Sequence, residues 1–481
     1  MKGKATIEVF DKNGLLKKKI EKENLITNAI DTIINPPFPE WFGCYNNNIT
    51  PHQIYCPIHK DVLGGIFLFN RHRTEDVNHI IPTSEDITSY VGSAGTNYPN
   101  GKTTKVKGSL NLNETGLVEN GWKYVWDFNM TGAYSFNSLS LTSASAGNCG
   151  LDYDINDEPA TKGEIFGRYG VELNGVNNNN AASAGSQNFT NIPKTNINEN
   201  GHLCFISDDC KTLVFVKSAN NAYNLTKYKF KDKIGVLNYF SSISSSDYIS
   251  EYNNWEKEFI YEVSPTSATI KSDLNSFYWE DNYIYSVHTT YNSADSVLVV
   301  NYIKIDVESM TIVDERVFNL STDTTGINSY LISGNKLLLN DGAKDRILIV
   351  NLNNNSIEDT IQYTAIHSSY ACYLMKFSDT LIGLYESTSP RYIYLVDLET
   401  KTLLFSKLSN ITNSNTDTTR FMNAKRIGNS PIYISKSYYT TDKLNCINLN
   451  IFEGYLASIL NIDTVVKEEE DTLKISYTIT N

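Results

Sequence analysis

The strongest constraint on the fold of this chain is a strand–turn–strand pattern that recurs along its second half. The stretch "YIYLVDLETKTLLFSK", at 392–407, has two apolar runs around a polar turn. Related stretches are "ILIVNLNNNSIEDT" from 347, "YIKIDVESMTIVDE" from 302, "FIYEVSPTSATIKS" from 259, "LNCINLNIFEGYLAS" from 444 and, more loosely, "LTKYKFKDKIGVLN" from 225. In the five well-formed copies the first strand ends at Ser264, Asp306, Asn351, Asp397 and Asn448, at spacings of 42, 45, 46 and 51 residues.

A second polar turn precedes each well-formed copy, as in "FYWEDNYIYSV" and "LISGNKLLLN". Each unit therefore contains four short strands, and four-stranded units at a period of about 40 to 50 residues are the signature of a propeller blade. Six copies between about 200 and 455 predict six blades. The segment 240–258 lacks a clear first strand pair, so five is the alternative count. Open β repeats, forming a sandwich or a solenoid, are the alternative architecture.

Composition and length agree with an all-β chain of more than one domain. The 31 tyrosines and 20 phenylalanines favour pleated, half-buried surfaces, and 481 residues exceed one typical domain. A net charge of −13 argues against a nucleic-acid or anionic-membrane surface. No apolar run is long enough for a membrane span, and "MKGKATIEVFDK" is unlike a signal peptide, so we expect a protein that is not exported by such a signal.

Cysteine and histidine residues offer one possible metal site. The seven cysteines are scattered and do not form a disulfide pattern. The stretch "CYNNNITPHQIYCPIH" contains Cys44, His52, Cys56 and His59, which are possible zinc ligands. Their spacing matches no common zinc finger, and ordinary loop and core side chains are the alternative. We therefore predict neither a metal nor a cofactor.

The two ends of the chain have sequence patterns different from those of the repeats. Residues 1–173 contain strand pairs such as "ATIEVFDKNGLLKKKIEK", and 174–201 is a run of Asn, Gly, Ser and Ala typical of a linker. In "TLKISYTIT" the apolar residues Leu473, Ile475, Tyr477 and Ile479 alternate with polar ones, which predicts a half-buried strand rather than a frayed tail. We therefore expect a β domain made of 1–173 and 456–481 that is completed by its last strand, with a propeller over 202–455 inserted into it.

The ends also resemble a known class of proteins. "NLITNAIDTIIN", "GGIFLFN" followed by "IIPTS", "GWKYVWDFNMTGAYSFNSLSLTS" and the C-terminal "YLASILNIDTVVKEEEDTLKISYTITN" resemble structural proteins of the tail tip, baseplate or tail fibre of phages and phage-tail-like bacteriocins of Firmicutes. The resemblance covers about residues 1–170 and 455–481. It implies a virion or bacteriocin particle as the location, synthesis in the bacterial cytoplasm, several copies per particle and other tail proteins as partners.

The sequence contains no local catalytic motif. A phosphate-binding loop, a nucleophile elbow and a two-histidine metalloprotease helix are all missing from it. A carboxylate pair for glycoside cleavage leaves no such motif, and its candidates are Asp281, Asp341, Asp345 and Glu386. The alternative is that these are turn residues chosen for backbone hydrogen bonding. We therefore expect that the protein is not an enzyme.

Tyrosine recurs in the loops expected to join the second and third strands of each blade. In a propeller these loops emerge on one face of the ring, and those of this chain carry Tyr223, Tyr291, Tyr385, Tyr392, Tyr438 and Tyr439. Exposed aromatic rings beside amides and hydroxyls suit a sugar surface. Chance is the alternative, because 12% of the residues are aromatic.

Three functions remain open on the sequence. The first is a tail protein whose propeller binds a host-surface polysaccharide through these tyrosines. The second is a purely architectural or decorating baseplate protein. The third is a polysaccharide-degrading tail enzyme.

Overall fold

The fold is almost entirely β in a computed structural model of the chain, as the composition predicts. The structure describes residues 2–30, 63–95, 105–129, 132–144, 146, 164–166, 202–209, 211–219, 222–230, 255–268, 277–324, 326–363, 372–386, 392–401, 403–408, 422–426, 428–438, 445–451 and 454–480. No helix in this part of the chain is long and apolar enough to cross a membrane.

The described residues of the first part of the chain include eight strands and a short helix. The strands are β1 (Lys2–Phe10), β2 (Leu16–Ile26), β3 (Gly65–Phe69), β4 (Tyr90–Gly95), β5 (Val106–Leu110), β6 (Gly116–Val118), β7 (Gly121–Phe128) and β8 (Tyr134–Thr142). Helix α1 (Ser84–Ser89) begins at a capping box, in which the Thr83 side chain and Asp86 satisfy each other's backbone N–H groups.

The middle of the chain forms successive antiparallel sheets. After β9 (Glu164–Phe166), the first sheet is β10 (His202–Ile206), β11 (Thr212–Ala219), β12 (Ala222–Phe230) and β13 (Trp255–Val263), and the second is β14 (Phe277–Glu280), β15 (Tyr283–Asn292), β16 (Val297–Asp306) and β17 (Thr311–Ser321). The third is β18 (Ser329–Ser333), β19 (Lys336–Asp341), β20 (Arg346–Asn351) and β21 (Ser356–Gln362). The fourth group of strands is β22 (Cys372–Lys376), β23 (Leu381–Glu386), β24 (Tyr392–Asp397) and β25 (Leu403–Leu408), and the fifth group is β26 (Met422–Arg426), β27 (Ile432–Tyr438) and β28 (Asn445–Ile451). The parallel pairing of Lys376 with Lys425 joins these two groups into one eight-stranded sheet, in which β9 pairs with β25. The five groups are called the first to fifth sheets below.

The last two strands close a barrel with the first eight. β29 (Ser458–Lys467) and β30 (Thr472–Thr480) enter a sheet whose order is β30-β1-β2-β29-β8-β3-β4-β5-β7, and β30 also pairs with β7. Nine strands therefore form a closed, barrel-like sheet, and β6 adds to the edge of β7. Aromatic side chains fill the interior, including Tyr124, Trp126 and Tyr477, which are fully buried.

Strand β30 confirms the closing strand expected from the sequence. All nine of its residues pair with β1 on one side, and eight of them pair with β7 on the other. Leu473, Ile475, Tyr477 and Ile479 are buried, while the polar residues between them are partly exposed. Gly121 lets β7 approach β30 closely, because a Cβ atom there would lie 2.0 Å from the carbonyl oxygen of Ile479.

The described strands of the middle segment form three four-stranded sheets and one eight-stranded sheet made of two groups, not six four-stranded units. The copies that begin at 225 and 259 were counted as separate units, but β12 and β13 belong to one sheet, with Tyr223 opposite Val263. An alternating strand can serve as the third strand of one unit or the fourth strand of another, and only its pairing decides between them. The pairing therefore does not support the count of six.

Neighbouring sheets touch through their first strands. β10 lies against β14, β14 against β18, β18 against β22, and β22 against β26. The fifth sheet also reaches the first, because the N–H of Gly428 donates to Asp208 Oδ1 at 3.2 Å. Lys376 at the end of β22 forms an ion pair with Glu280 at the end of β14, two sheets away. The first strands of these sheets therefore lie close together.

A buried ionic network fixes the segment between β3 and β4. Arg73 Nε donates to Ser138 Oγ at 3.0 Å, its guanidinium lies 4.2 Å from the ring centroid of Phe69, and Asp86 lies 3.8 Å from its Nη1. Asp86 also bonds His79 Nε2 at 2.7 Å. Burial raises the pKa of Asp86, but the bond from His79 and the charge of Arg73 outweigh it, and the net effect is a lowered pKa.

We predict that Ile475→Ala lowers the free energy of unfolding of the barrel by about 2–5 kcal/mol, because it removes buried methyl groups from the closing strand. Thr478→Ala, at a partly exposed position of the same strand, is the matched control. Urea unfolding followed by tryptophan fluorescence measures both variants. Equal stability of the two variants would mean that β30 does not hold the barrel closed.

We also predict a loss of stability in acid that depends on Asp86. Its pKa is lowered in the folded protein, so its stabilising effect is complete above its unfolded pKa of about 3.9 and is lost as the pH falls through the lower folded value. Asp86→Asn should therefore destabilise the protein at pH 6 and flatten the decline in melting temperature below pH 4. A variant with an unchanged acid slope would contradict this assignment.

Candidate functional site

The predicted binding tyrosines do not share one environment. Tyr223 is fully buried, its hydroxyl group lies 2.8 Å from Ser286 Oγ, and its ring meets Phe277 edge to face at 5.3 Å between centroids. The hairpin before it turns tightly, with Ala219 opposite Ala222, so Tyr223 belongs to a strand and not to a loop. Tyr223 therefore joins the first sheet to the second, and the expectation that it lies on an exposed face is wrong.

Tyr291 lies near the end of β15 and is partly buried. It is opposite Leu298, which is in turn opposite Leu320, and both leucines are buried in the core between the second and third sheets. The ring of Tyr291 packs against that core and keeps part of its surface exposed. Of the predicted tyrosines with a described side chain, Tyr291 is the one that retains an accessible ring.

The structure describes only the backbone of three further tyrosines. Tyr385 lies in β23 opposite Tyr373, Tyr392 begins β24 opposite Lys407, and Tyr438 ends β27 opposite Asn445. These positions flank the connections between the second and third strands of their sheets. Tyr439 and the side chains of Tyr385, Tyr392 and Tyr438 lie outside the described part of the chain.

A charged array joins two of these connections. Arg346 donates through Nε to Asp341 Oδ2 at 2.9 Å, and through Nη2 to Asp323 Oδ1 at 2.5 Å and Thr322 Oγ1 at 3.1 Å. The N–H of Thr322 donates to the carbonyl oxygen of Ser296 in the hairpin after Tyr291. The hairpins of the second and third sheets are therefore fixed to the segment that connects the two sheets.

Burial changes steeply along this array. The side chain of Asp341 is fully buried, that of Arg346 is 18% exposed and that of Asp323 is 64% exposed. The hydrogen bond and charge of Arg346 lower the pKa of Asp323. Burial lowers the pKa of Arg346, but its bonds to Asp323 and Asp341 raise it more. The array thus carries fixed charges from the protein interior to the surface.

The carboxylates considered for glycoside cleavage have structural roles. Asp281 and Asp345 occupy turn positions with φ of 50° and 51°, a left-handed conformation that Asp tolerates better than most residues. Asp341 is the buried partner of Arg346. The side chain of Glu386 lies outside the described residues.

The proposed metal ligands are not described. Cys44, His52, Cys56 and His59 fall within 31–62, and the expected linker 174–201 also lies outside the described residues. Within the described ranges, no group of three or more His, Cys, Asp or Glu residues is arranged to hold a metal ion.

The fourth and fifth sheets meet the barrel near the turns between their first and second strands. Asn429, in the turn between β26 and β27, donates to Asn78 Oδ1 at 2.8 Å, and Asn28 donates to the same atom at 2.8 Å. Met375 and Phe377, at the end of β22 and just after it, belong to the same buried cluster as the barrel interior. Sequence reasoning missed this junction and the Arg346 array, because both join residues that are far apart in the chain.

Comparison with known proteins gives little information about this chain. No protein-family profile and no curated protein matches it. Among solved structures, hydrazine synthase of Kuenenia stuttgartiensis aligns at 10% identity with a TM-score of 0.20, over 41% of this chain and 53% of that one. A likeness at this level carries no argument about fold or function.

We predict that Arg346→Met lowers the free energy of unfolding by about 3 kcal/mol, because it leaves the fully buried carboxylate of Asp341 without its cation. The double variant Asp341→Leu with Arg346→Met should regain most of that loss. Asp323→Asn, at the exposed end of the array, should unfold almost like the parent. Denaturant titration measures all three, and a neutral effect of Arg346→Met would contradict the role assigned to the array.

Proposed function

We propose that this protein is a structural component of a phage tail or a phage-tail-like particle. In this proposal the barrel attaches to other tail or baseplate proteins, and the middle segment binds a host cell-surface polysaccharide. The resemblance of both chain ends to tail proteins of Firmicutes phages and bacteriocins supports the first part. The barrel is built from those same ends, so the part of the chain that resembles tail proteins forms one structural unit.

In the same proposal the five sheets form a closed five-bladed propeller. The successive contacts of first strands, the bond between Gly428 and Asp208, and the ion pair between Lys376 and Glu280 across the first strands all support a closed ring. Closure satisfies a physical requirement, because a four-stranded sheet cannot bury both of its faces without neighbours on each side.

The binding proposal rests on which end of the ring contacts the barrel. The turns between first and second strands contact the barrel through Asn429 and Phe377. In an antiparallel sheet the connection between the second and third strands lies at the opposite end. Tyr291, the Arg346 array and the backbones of Tyr385, Tyr392 and Tyr438 therefore lie at the end of the ring away from the barrel.

Several copies in one particle reduce the affinity that each ring needs. Two or more linked sites raise the overall affinity by about 10²–10⁴ without any new contact. A shallow surface with one partly exposed ring and a few fixed charges is then sufficient for attachment. The proposal does not require a deep pocket or a catalytic centre.

An architectural role is the second candidate, and one observation favours it. Tyr223 is buried and Tyr291 is half-buried, so the described part of the outer end exposes less aromatic surface than the sequence suggests. In that role the outer end would contact another tail protein instead of a polysaccharide.

We predict that replacing Tyr291, Tyr385 and Tyr438 together by alanine leaves particle assembly intact and reduces adsorption to host cells. The matched control is Tyr283→Ala, at the barrel-facing end of β15. Assembly is followed by electron microscopy, and adsorption by the loss of free particles from a cell suspension. If the triple variant adsorbs normally, polysaccharide binding by these tyrosines is wrong. If it fails to assemble, the architectural role is favoured.

A further inference from the structure

One junction of the barrel is much weaker than the others. Strands β2 and β29 pair only at Leu25 with Ile459 and at Ile26 with Ser458. Of the remaining residues of β2, Leu16 and 18–24 have a strand partner on the β1 side, and among the described residues none of 16–24 has one on the β29 side. The two strands thus diverge from the paired end and leave a slit between two strand edges.

Two lysine side chains cross this slit. Lys22 Nζ donates to the carbonyl oxygen of Asn461 at 2.7 Å, and Lys18 Nζ donates to that of Thr464 at 2.9 Å. Both lysines lie opposite interior positions of β1, namely Ala5 and Val9. Within the described chain neither lysine has a carboxylate within ion-pair distance. They bond to carbonyl oxygens that a neighbouring strand would otherwise engage.

The outward-facing lysines of β2 already have carboxylate partners. Lys19 forms an ion pair with Glu21 at 2.9 Å, and Lys17 forms one with Asp471 at 2.9 Å. Bonds to these carboxylates raise the pKa of both lysines. Lys18 and Lys22 therefore differ from their neighbours, since they face the slit and lack carboxylate partners.

Exposed apolar side chains lie at the open end of the slit. Leu15 is 66% exposed, Leu16 is 51% exposed and Val466 is 56% exposed. Lys18 reaches Thr464, so Leu16 and Val466 lie two residues further along the two facing edges. An apolar contact is therefore available on both sides of the opening.

Lysines on an edge strand usually protect it from pairing with other chains. Here the two lysines are exposed but bond across the gap to carbonyl oxygens of β29, and these hydrogen bonds can be exchanged for those of an added strand. Strand addition to such an edge gives affinity through backbone bonds and specificity through alternate side chains. The positive charges of Lys18 and Lys22 then favour an added strand that carries carboxylates.

We propose that this slit accepts an extended acidic segment of another polypeptide, which adds as a strand between β2 and β29. β2 carries four lysines and two glutamates in a chain of net charge −13, so it is a basic edge on an acidic protein. Carboxylates at alternate positions of the segment pair with Lys18 and Lys22. Apolar residues at its outward positions contact Leu16 and Val466. This inference does not depend on the proposed tail function.

The test uses the full chain and two synthetic nonapeptides with free solubilising ends, one alternating Glu and Val and the other alternating Lys and Val. Binding is measured by fluorescence anisotropy, and its place by hydrogen exchange of the amides in 16–24 and 460–467. We expect the acidic peptide to bind at least about 10-fold more tightly than the basic one and to slow exchange in both segments.

A charge-reversal variant tests the two lysines directly. Lys18→Glu with Lys22→Glu should reverse the preference, so that the basic peptide binds more tightly, which also shows that the variant is folded. The control makes the same charge change on the first sheet of the ring, with Lys211→Glu and Lys217→Glu, and should keep the original preference.

Three results would overturn the proposal. They are equal binding of both peptides, binding without slower exchange in 16–24, and an unchanged preference in the charge-reversal variant. Slow exchange in 16–24 that appears with protein concentration alone would assign the slit to a second copy of this chain.

Discussion

The insertion of β30 between β1 and β7 is the interaction on which the rest of the structure depends. Strand β30 pairs along its whole length with strands from the first part of the chain, with β1 on one edge and β7 on the other. Because the two ends meet in one sheet, the middle of the chain leaves and re-enters the same barrel. The buried cluster that fills the barrel continues into Met375 and Phe377, so the fourth sheet is held against the barrel by apolar packing as well as by the chain itself.

The same kind of hydrogen bond joins neighbouring sheets of the middle segment. A long polar side chain from one sheet bonds to a backbone carbonyl or a hydroxyl group of the next. Tyr330 Oη donates to the carbonyl oxygen of Tyr285 at 3.2 Å, Lys227 Nζ donates to that of Val307 at 2.9 Å, and Arg316 reaches that of Leu352. Carbonyl oxygens near strand ends need such partners when water is excluded. The joints therefore satisfy backbone groups and fix the neighbouring sheets in one step.

Much of the fold could be predicted from the sequence, because short-range patterns carry it. The alternation of Leu473, Ile475 and Tyr477 specifies a half-buried strand, and polar turns between apolar runs specify the repeats. The pairing of β13 could not be predicted, since the same alternation suits two different sheets. The environments of Tyr223 and Arg346 depend on residues more than 20 positions away, such as Ser286 and Asp323, and no local pattern reports such contacts.

The order of strands in the barrel also has a consequence for synthesis. The ribosome makes β1 and β7 first, then the described sheets of the middle segment, and β30 after them. Until β30 emerges, β1 and β7 each present an edge that has no permanent partner. All the strands of the middle sheets are therefore available for pairing before the barrel can close. The barrel edges of the nascent chain are then the part that chaperones have to shield longest.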